Sequence, residues 1–198
     1  MDPHKKQIWL VRHGETEWAA IGRHTGWRDI PLTPRGEDQA RNLGKLLNGR
    51  AFSLVMVSPL QRARQTCELA GYAHSAVINP DMREWNYGDY EGLTSTEIRE
   101  RLPDWNIWRN GVEGGETVNE VGVRARRVLE LAMAAEGDVL LFAHGHLLRI
   151  LTACWLDLPP VEARRFALWP SAVGVLGYEH DVPVIRSWNW EPAPRWLA

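Results

Sequence analysis

Cysteine is scarce in this sequence. Cys67 and Cys154 are the only two among 198 residues, too few for a disulfide framework. Each falls in an apolar stretch of helical character, where a buried free thiol is the default. Long apolar runs are absent as well. The longest hydrophobic region is interrupted by His144, His146 and Arg149, which argues against a membrane span. The basic start, Met1 to Lys6, runs into an apolar stretch, Ile8 to Val11, too short for the core of a signal peptide. A cytoplasmic location is therefore expected. Nor does one sign of charge dominate: 23 Lys and Arg against 25 Asp and Glu leave a net charge of −2 and a pI near 6.4. No basic field exists to hold nucleic acid or an anionic membrane. A small anionic substrate is not excluded, because it needs only a few local cations.

No repeat, low-complexity block or linker interrupts the chain. With 44% hydrophobic and 24% charged residues, the length fits one domain, 1–198, with a sizeable core. Tryptophan, at eleven residues against three Phe, is the compositional excess.

Short apolar runs alternate with helical patterns. Ile8–Val11 reads as a buried strand, and Thr33-Pro34 as an N-cap and first-turn proline opening a helix to about Leu47, with Ala40, Leu43 and Leu47 on one face. Leu54–Val57 is a second strand, and Ser58-Pro59 is expected to open a helix to about Ala70. Val77–Ile78 makes a brief third strand. Asp138–Ala143 is the clearest strand, followed by a helix over Leu147–Leu156. Gly174–Tyr178 and Pro183–Ser187 suit a closing hairpin. Glu116–Ala135 carries a stripe through Val121, Val128, Leu131 and Ala135. Met82–Gly115, with one short helix at Thr94–Arg101, reads as an insertion over one end of the sheet. The pattern predicts an α/β fold, a three-layer α/β/α sandwich around a mainly parallel sheet.

Ligands of such sheets sit beyond the carboxyl ends of the strands. Arg12, His13, Gly14 and Glu15 follow the first strand, and Arg62 and Arg64 lie in the helix after the second. Arg83 and Glu84 follow the third, and His144, Gly145 and His146 the fourth. Arginine forks grip phosphate oxygens bidentately. A neutral imidazole whose second nitrogen holds its proton in a hydrogen bond is a competent nucleophile, and a protonated carboxyl serves a leaving alkoxide. These parts meet the demands of phosphoryl transfer without a metal or cofactor.

The run Leu10-Val11-Arg12-His13-Gly14-Glu15-Thr16-Glu17-Trp18 resembles the signature of the histidine phosphatase superfamily, the phosphoglycerate mutase-like proteins. Gly22 to Gly26, Pro31-Leu32-Thr33, Ser58 to Thr66, Arg83 to Gly92, Gly114 to Thr117 and Ala143 to His146 resemble its later segments in order and spacing. The resemblance implies His13 as nucleophile, Arg12, Arg62 and His144 as the phosphate pocket, and Glu84 as proton donor and later base. Thr16, Thr25, Gly26, Tyr87 and Gly145, inside the matching segments, are the substrate-binding candidates. Glu84 to Gly88 together with Trp105-Asn106-Ile107-Trp108-Arg109 is similar to the small acid phosphatase and sedoheptulose-bisphosphatase-like branch. Many mutases carry Asn directly after the tryptophan that corresponds to Trp18. Ala19 stands here instead, which favours hydrolysis of small phosphomonoesters over mutase-type transfer.

Plainer readings stand beside these. His144 and His146 form a His-x-His pair of the kind metals use, but no carboxylate cluster accompanies them at ligand spacing. Arg64 suits solvent, and Glu15 a helix end or a nearby arginine. His24 either reaches the pocket mouth or caps a turn. His4, His74 and His180 read as surface residues. Trp85, Trp105 and Trp108 form either the insertion's own core or a platform for a sugar ring. Trp188, Trp190 and Trp196 fit tail docking or a subunit contact. A homodimer is the expectation for a soluble enzyme.

Overall fold

The computed structural model describes residues 5–191; His4 and Trp196 lie outside them. Six strands form one sheet in the order β3-β2-β4-β1-β5-β6. These are β1 (Ile8–Arg12), β2 (Leu54–Val57), β3 (Ala76–Ile78), β4 (Val139–Ala143), β5 (Val173–Glu179) and β6 (Val182–Trp190). The first four run parallel, and the β5–β6 hairpin closes the sheet antiparallel against β1. Every residue of β4 is buried, as expected for a central strand covered on both faces.

Alternate side chains feed two cores. Val11, Val57, Leu140 and Phe142 pack with Leu43 and Leu47 of α2 (Pro34–Leu47) and Ala63 and Cys67 of α3 (Gln61–Leu69). Leu10, Met56, Leu141 and Ala143 face the opposite way, against α6 (Val118–Ala134) and α7 (Gly145–Trp155). The result is the expected three-layer sandwich. The short helices α1 (Glu17–Ala20), α4 (Ser95–Arg101) and α5 (Ile107–Asn110) belong to the connections.

Capping explains the helix starts. Thr33 accepts a bond from the Gly36 N–H at 3.0 Å with Pro34 in the first turn. Thr94 and Thr117 each form a capping box, with Glu97 and Glu120. Two local expectations need correction. Helix α3 starts at Gln61 with no side-chain cap, because the N-cap residue is Leu60, which has no acceptor, and the Ser58 hydroxyl, 2.7 Å from His144, reaches only the Leu60 N–H. Leu131 is 50% exposed. It lies ten residues beyond Val121, roughly 80° off the stripe at about 100° per residue. The buried residues of α6 are Val121, Gly122, Arg124, Ala125, Val128, Leu129 and Ala132.

The insertion does not build a core of its own. Trp85, Ile98, Trp105 and Ile107 are buried in the same cluster as α6 and α7, while Trp108 is only partly buried and packs against it. Tyr87, Trp85 and Trp105 thus tie the carboxyl end of the sheet to the layer beneath it.

Candidate active site

Parallel register sets the geometry. Arg12 pairs with Ala143, so the next residues, His13 and His144, emerge side by side, with ring centroids 5.2 Å apart. The His13 N–H bonds the Ala143 carbonyl at 3.0 Å, which keeps the strands joined to the last residue before the two imidazoles. Gly14 then allows a close backbone approach: a Cβ there would stand 2.4 Å from the Gly36 carbonyl oxygen.

The tautomer of His13 follows from its partner. Nδ1 lies 2.7 Å from the Gly14 carbonyl oxygen, which only accepts, so Nδ1 carries the hydrogen and Nε2 keeps a lone pair. Burial lowers the pKa of His13 well below the usual imidazole value, and the Arg62 and Arg12 charges lower it further. Burial does the same to His144, aided by Arg62 and His13. Both rings are therefore neutral near pH 7, one presenting a lone pair to a cavity of about 210 Å³ that His13 helps to line.

Arg12, Glu84, Tyr87, Thr25, Gly145, His24, Arg23, His146 and Arg149 share that lining. Glu84 is only 5% exposed, and its carboxylate sits at the start of α7. Oε1 accepts from the Trp85 and Leu147 N–H groups, both at 2.9 Å, and Oε2 from the His146 N–H at 3.0 Å. Gly145 is small where smallness matters, since a Cβ would stand 3.3 Å from the Arg12 guanidinium carbon.

Arg62 and His144 are fully buried and do not line the cavity. Arg62 donates to the carbonyls of Thr25, Gly26 and Arg28 at 3.1, 2.7 and 3.0 Å. Its Nε and the Nδ1 of His144 have no protein partner among the described residues. Two buried polar nitrogens beside a neutral nucleophile suit an anion that the protein itself does not supply. Among those residues no group of three His, Cys, Asp or Glu side chains could hold a metal ion.

Two substrate-binding candidates stand elsewhere. Thr16 is fully buried, and its hydroxyl accepts the Ala19 N–H at 3.2 Å as the cap of α1. Gly26 lies behind the cavity wall. Its carbonyl takes a bond from Arg62, its N–H binds Glu91 at 2.9 Å, and a Cβ would meet the Trp85 carbonyl at 2.8 Å. Glu15 pairs with Arg35 and Thr33 at the start of α2, and Arg64 is exposed. His24 reaches the cavity, packed on Tyr87 and Trp105; burial lowers its pKa to about 4.

Arg149 was not picked out by the motifs. It lines the cavity with its guanidinium carbon 4.7 Å from the Trp108 ring centroid, and burial lowers its pKa to about 10. Helical spacing carries the missing signal, since Arg149 lies four residues beyond Gly145 and three beyond His146. Leu168 arrives from an irregular connection and has no sequence signature.

Among the described residues, no helix is long and apolar enough to cross a membrane. Comparison with known proteins agrees with the geometry. The family model of the histidine phosphatase superfamily (branch 1) matches residues 8–191. An acid phosphatase of Mycobacterium tuberculosis is 41% identical over 180 residues, covering 89% of this chain and 88% of the relative. A sedoheptulose 1,7-bisphosphatase of Saccharomyces cerevisiae is 39% identical over 181 residues, covering 75% and 67%. Proteins named probable phosphoglycerate mutases also match, one from Yersinia enterocolitica at 33% identity over 94% of this chain and 92% of its own. The solved structure of a Mycobacterium tuberculosis open reading frame superposes with a TM-score of 0.90 at 38% identity, covering 95% of this chain and 99% of that one. The match runs through almost all of the described residues, and the chain belongs to the histidine phosphatase superfamily (branch 1).

Proposed function

We propose that the protein is a metal-independent phosphatase that hydrolyses small phosphomonoesters through a phosphohistidine on His13. One observation carries this reading: His13 is a buried neutral imidazole with Nδ1–H fixed on the Gly14 carbonyl and Nε2 free to attack from the wall of an open cavity. Nε2 attacks phosphorus while the bond to the ester oxygen breaks, and Glu84 delivers a proton to that oxygen. Arg12, Arg62 and His144 neutralise the equatorial oxygens. Water then attacks phosphorus, giving its proton to Glu84, and the P–N electron pair returns to Nε2. The relatives named as phosphatases support hydrolysis. Ala19 in the cavity wall, where many mutases place Asn, points the same way. The two free cysteines suit a reducing, cytoplasmic setting.

The test is a trapped phosphoenzyme, expected to be labile in acid and stable in base, formed by wild type and absent from His13→Ala. Near-native turnover of p-nitrophenyl phosphate by His13→Ala would refute the mechanism. The second reading, phosphoglycerate mutase-type transfer, is favoured by the mutase-named relatives. It predicts interconversion of 2- and 3-phosphoglycerate that depends on the bisphosphate.

A further inference from the structure

Glu84 lies in no regular element; it sits between two single-turn 3-10 helices, at 80–82 and 88–90. Its backbone must be held by something else. On α6, Arg124 is 7% exposed and lies outside the cavity. All five of its N–H donors are spoken for. Nε and Nη2 bind Glu116 through both carboxylate oxygens, at 2.7 and 2.8 Å. Nη1 donates to the carbonyls of Asp81 and Arg83 at 2.8 and 2.7 Å, and Nη2 to the carbonyl of Glu84 at 3.0 Å. Glu116 grips the other side of the acid. Its Oε2 accepts the Asn86 N–H at 2.8 Å, and its carbonyl accepts the Trp85 indole N–H at 2.7 Å. A third contact, from the Trp27 indole N–H, meets the Glu84 carbonyl at 3.0 Å.

We propose that the Arg124–Glu116 pair is a positioning device for Glu84, clamping the chain from Asp81 to Asn86 so that the carboxyl meets the leaving oxygen. The inference rests on the assignment of Glu84 as the acid. It also gives a task to the Gly114-Gly115-Glu116-Thr117 turn, none of whose residues lines the cavity. The bidentate pair is specific to its residue types. Lysine has three donors around one nitrogen and cannot span a carboxylate and three carbonyls. Glutamine at 116 presents an N–H₂ where one carboxylate oxygen now accepts from Asn86 or Arg124.

A general acid matters most when the leaving group is poor. The readout is therefore the ratio of kcat/KM for p-nitrophenyl phosphate to that for glycerol 2-phosphate, measured for wild type, Glu84→Gln, Glu116→Gln and Arg124→Lys. Glu84→Gln is expected to lose on the order of 10²-fold or more on the alkyl ester and far less on the nitrophenyl ester. A misplaced acid should imitate it in weaker form, with about 10- to 100-fold lost on the alkyl ester in the clamp variants. In a Glu84→Gln background, Glu116→Gln should add little, since a device for placing the acid has nothing left to place. Glu116→Gln changes a single heavy atom, so it decides the matter even if Arg124→Lys fails to fold. Equal losses on both esters, or full additivity with Glu84→Gln, would show that the clamp only stabilises the fold. If Glu84→Gln itself lost both esters equally, the assignment of the acid would fail first, and the clamp's role with it.

Discussion

Ser58 controls the state of His144, and its removal offers a sharp test of the pocket. The hydroxyl lies 2.7 Å from Nε2 of His144 and also accepts the Leu60 N–H at 3.3 Å. The hydroxyl hydrogen has no acceptor other than Nε2 among the described residues, so it is donated there, and the neutral ring carries its proton on Nδ1. That is the nitrogen without a protein partner, so the serine leaves His144 with a free N–H, the donor that the proposed mechanism turns toward phosphate. In Ser58→Ala the bias between tautomers falls by the net worth of one buried hydrogen bond, about 1–1.5 kcal/mol. At about 1.4 kcal/mol per decade, the donor form loses roughly 5- to 10-fold in population relative to its rival. A single donor to transition-state charge is worth about 10²–10³ in rate, which caps the effect. The predicted fall in kcat/KM for p-nitrophenyl phosphate is therefore about 10-fold, without loss of fold. Nitrogen-15 shifts of His144 should move from a single Nδ1–H form toward a mixture. Wild-type kcat/KM in Ser58→Ala, with the His144 shifts unchanged, would refute the reasoning.

Three further outcomes are expected. Folded His13, His24, His144 and His146 all have lowered pKa values, by burial above all, so below pH 6.5 the unfolded chain takes up protons that the native state refuses. Stability is complete above that pH and declines as pH falls toward the folded values, by about 1.4 kcal/mol per pH unit for each histidine. Thermal midpoints measured from pH 7 to pH 5 check the sign, and a flat profile would contradict it. Trp85→Ala removes a fully buried indole and should cost about 3–5 kcal/mol in urea unfolding; a loss under 1 kcal/mol would mean that the insertion is not part of the core. Burial pushes the Cys67 thiol up to about 12, so it should resist iodoacetamide at pH 8 in the native protein and react on denaturation.

Much of this site was legible because strand ends are where sequence order becomes spatial order. The apolar runs ending at Val11, Val57 and Ala143 predict parallel strands, and in such a sheet the residue after each run lands on a common edge. His13 lies two residues beyond the first run and His144 one beyond the last, and the register Arg12 with Ala143 makes them neighbours. Thr16 and Gly26 stand outside the cavity lining for a related reason. Both lie in matching segments, but a sequence does not say whether a loop residue faces the cavity or the protein behind it. Thr16 turns inward to cap α1, and Gly26 spends its backbone on Arg62 and Glu91.

Arg124 shows where reading along the chain stops. Within its helix it resembles any arginine on an amphipathic face, and periodicity places it only one residue before the buried Ala125. Its partners are the carbonyls of residues 81, 83 and 84 and the carboxylate of residue 116, and carbonyls carry no residue identity to betray an interaction. A buried guanidinium with one acid partner is a poor source of stability by itself, because desolvation offsets most of the attraction. The same geometry that makes it energetically neutral makes it exacting, since five donors aimed at fixed acceptors admit one arrangement of the loop. If Glu84 is the acid, a carboxyl on irregular chain requires such a constraint, and the proposed clamp would supply it from beneath the cavity through a residue outside the cavity lining.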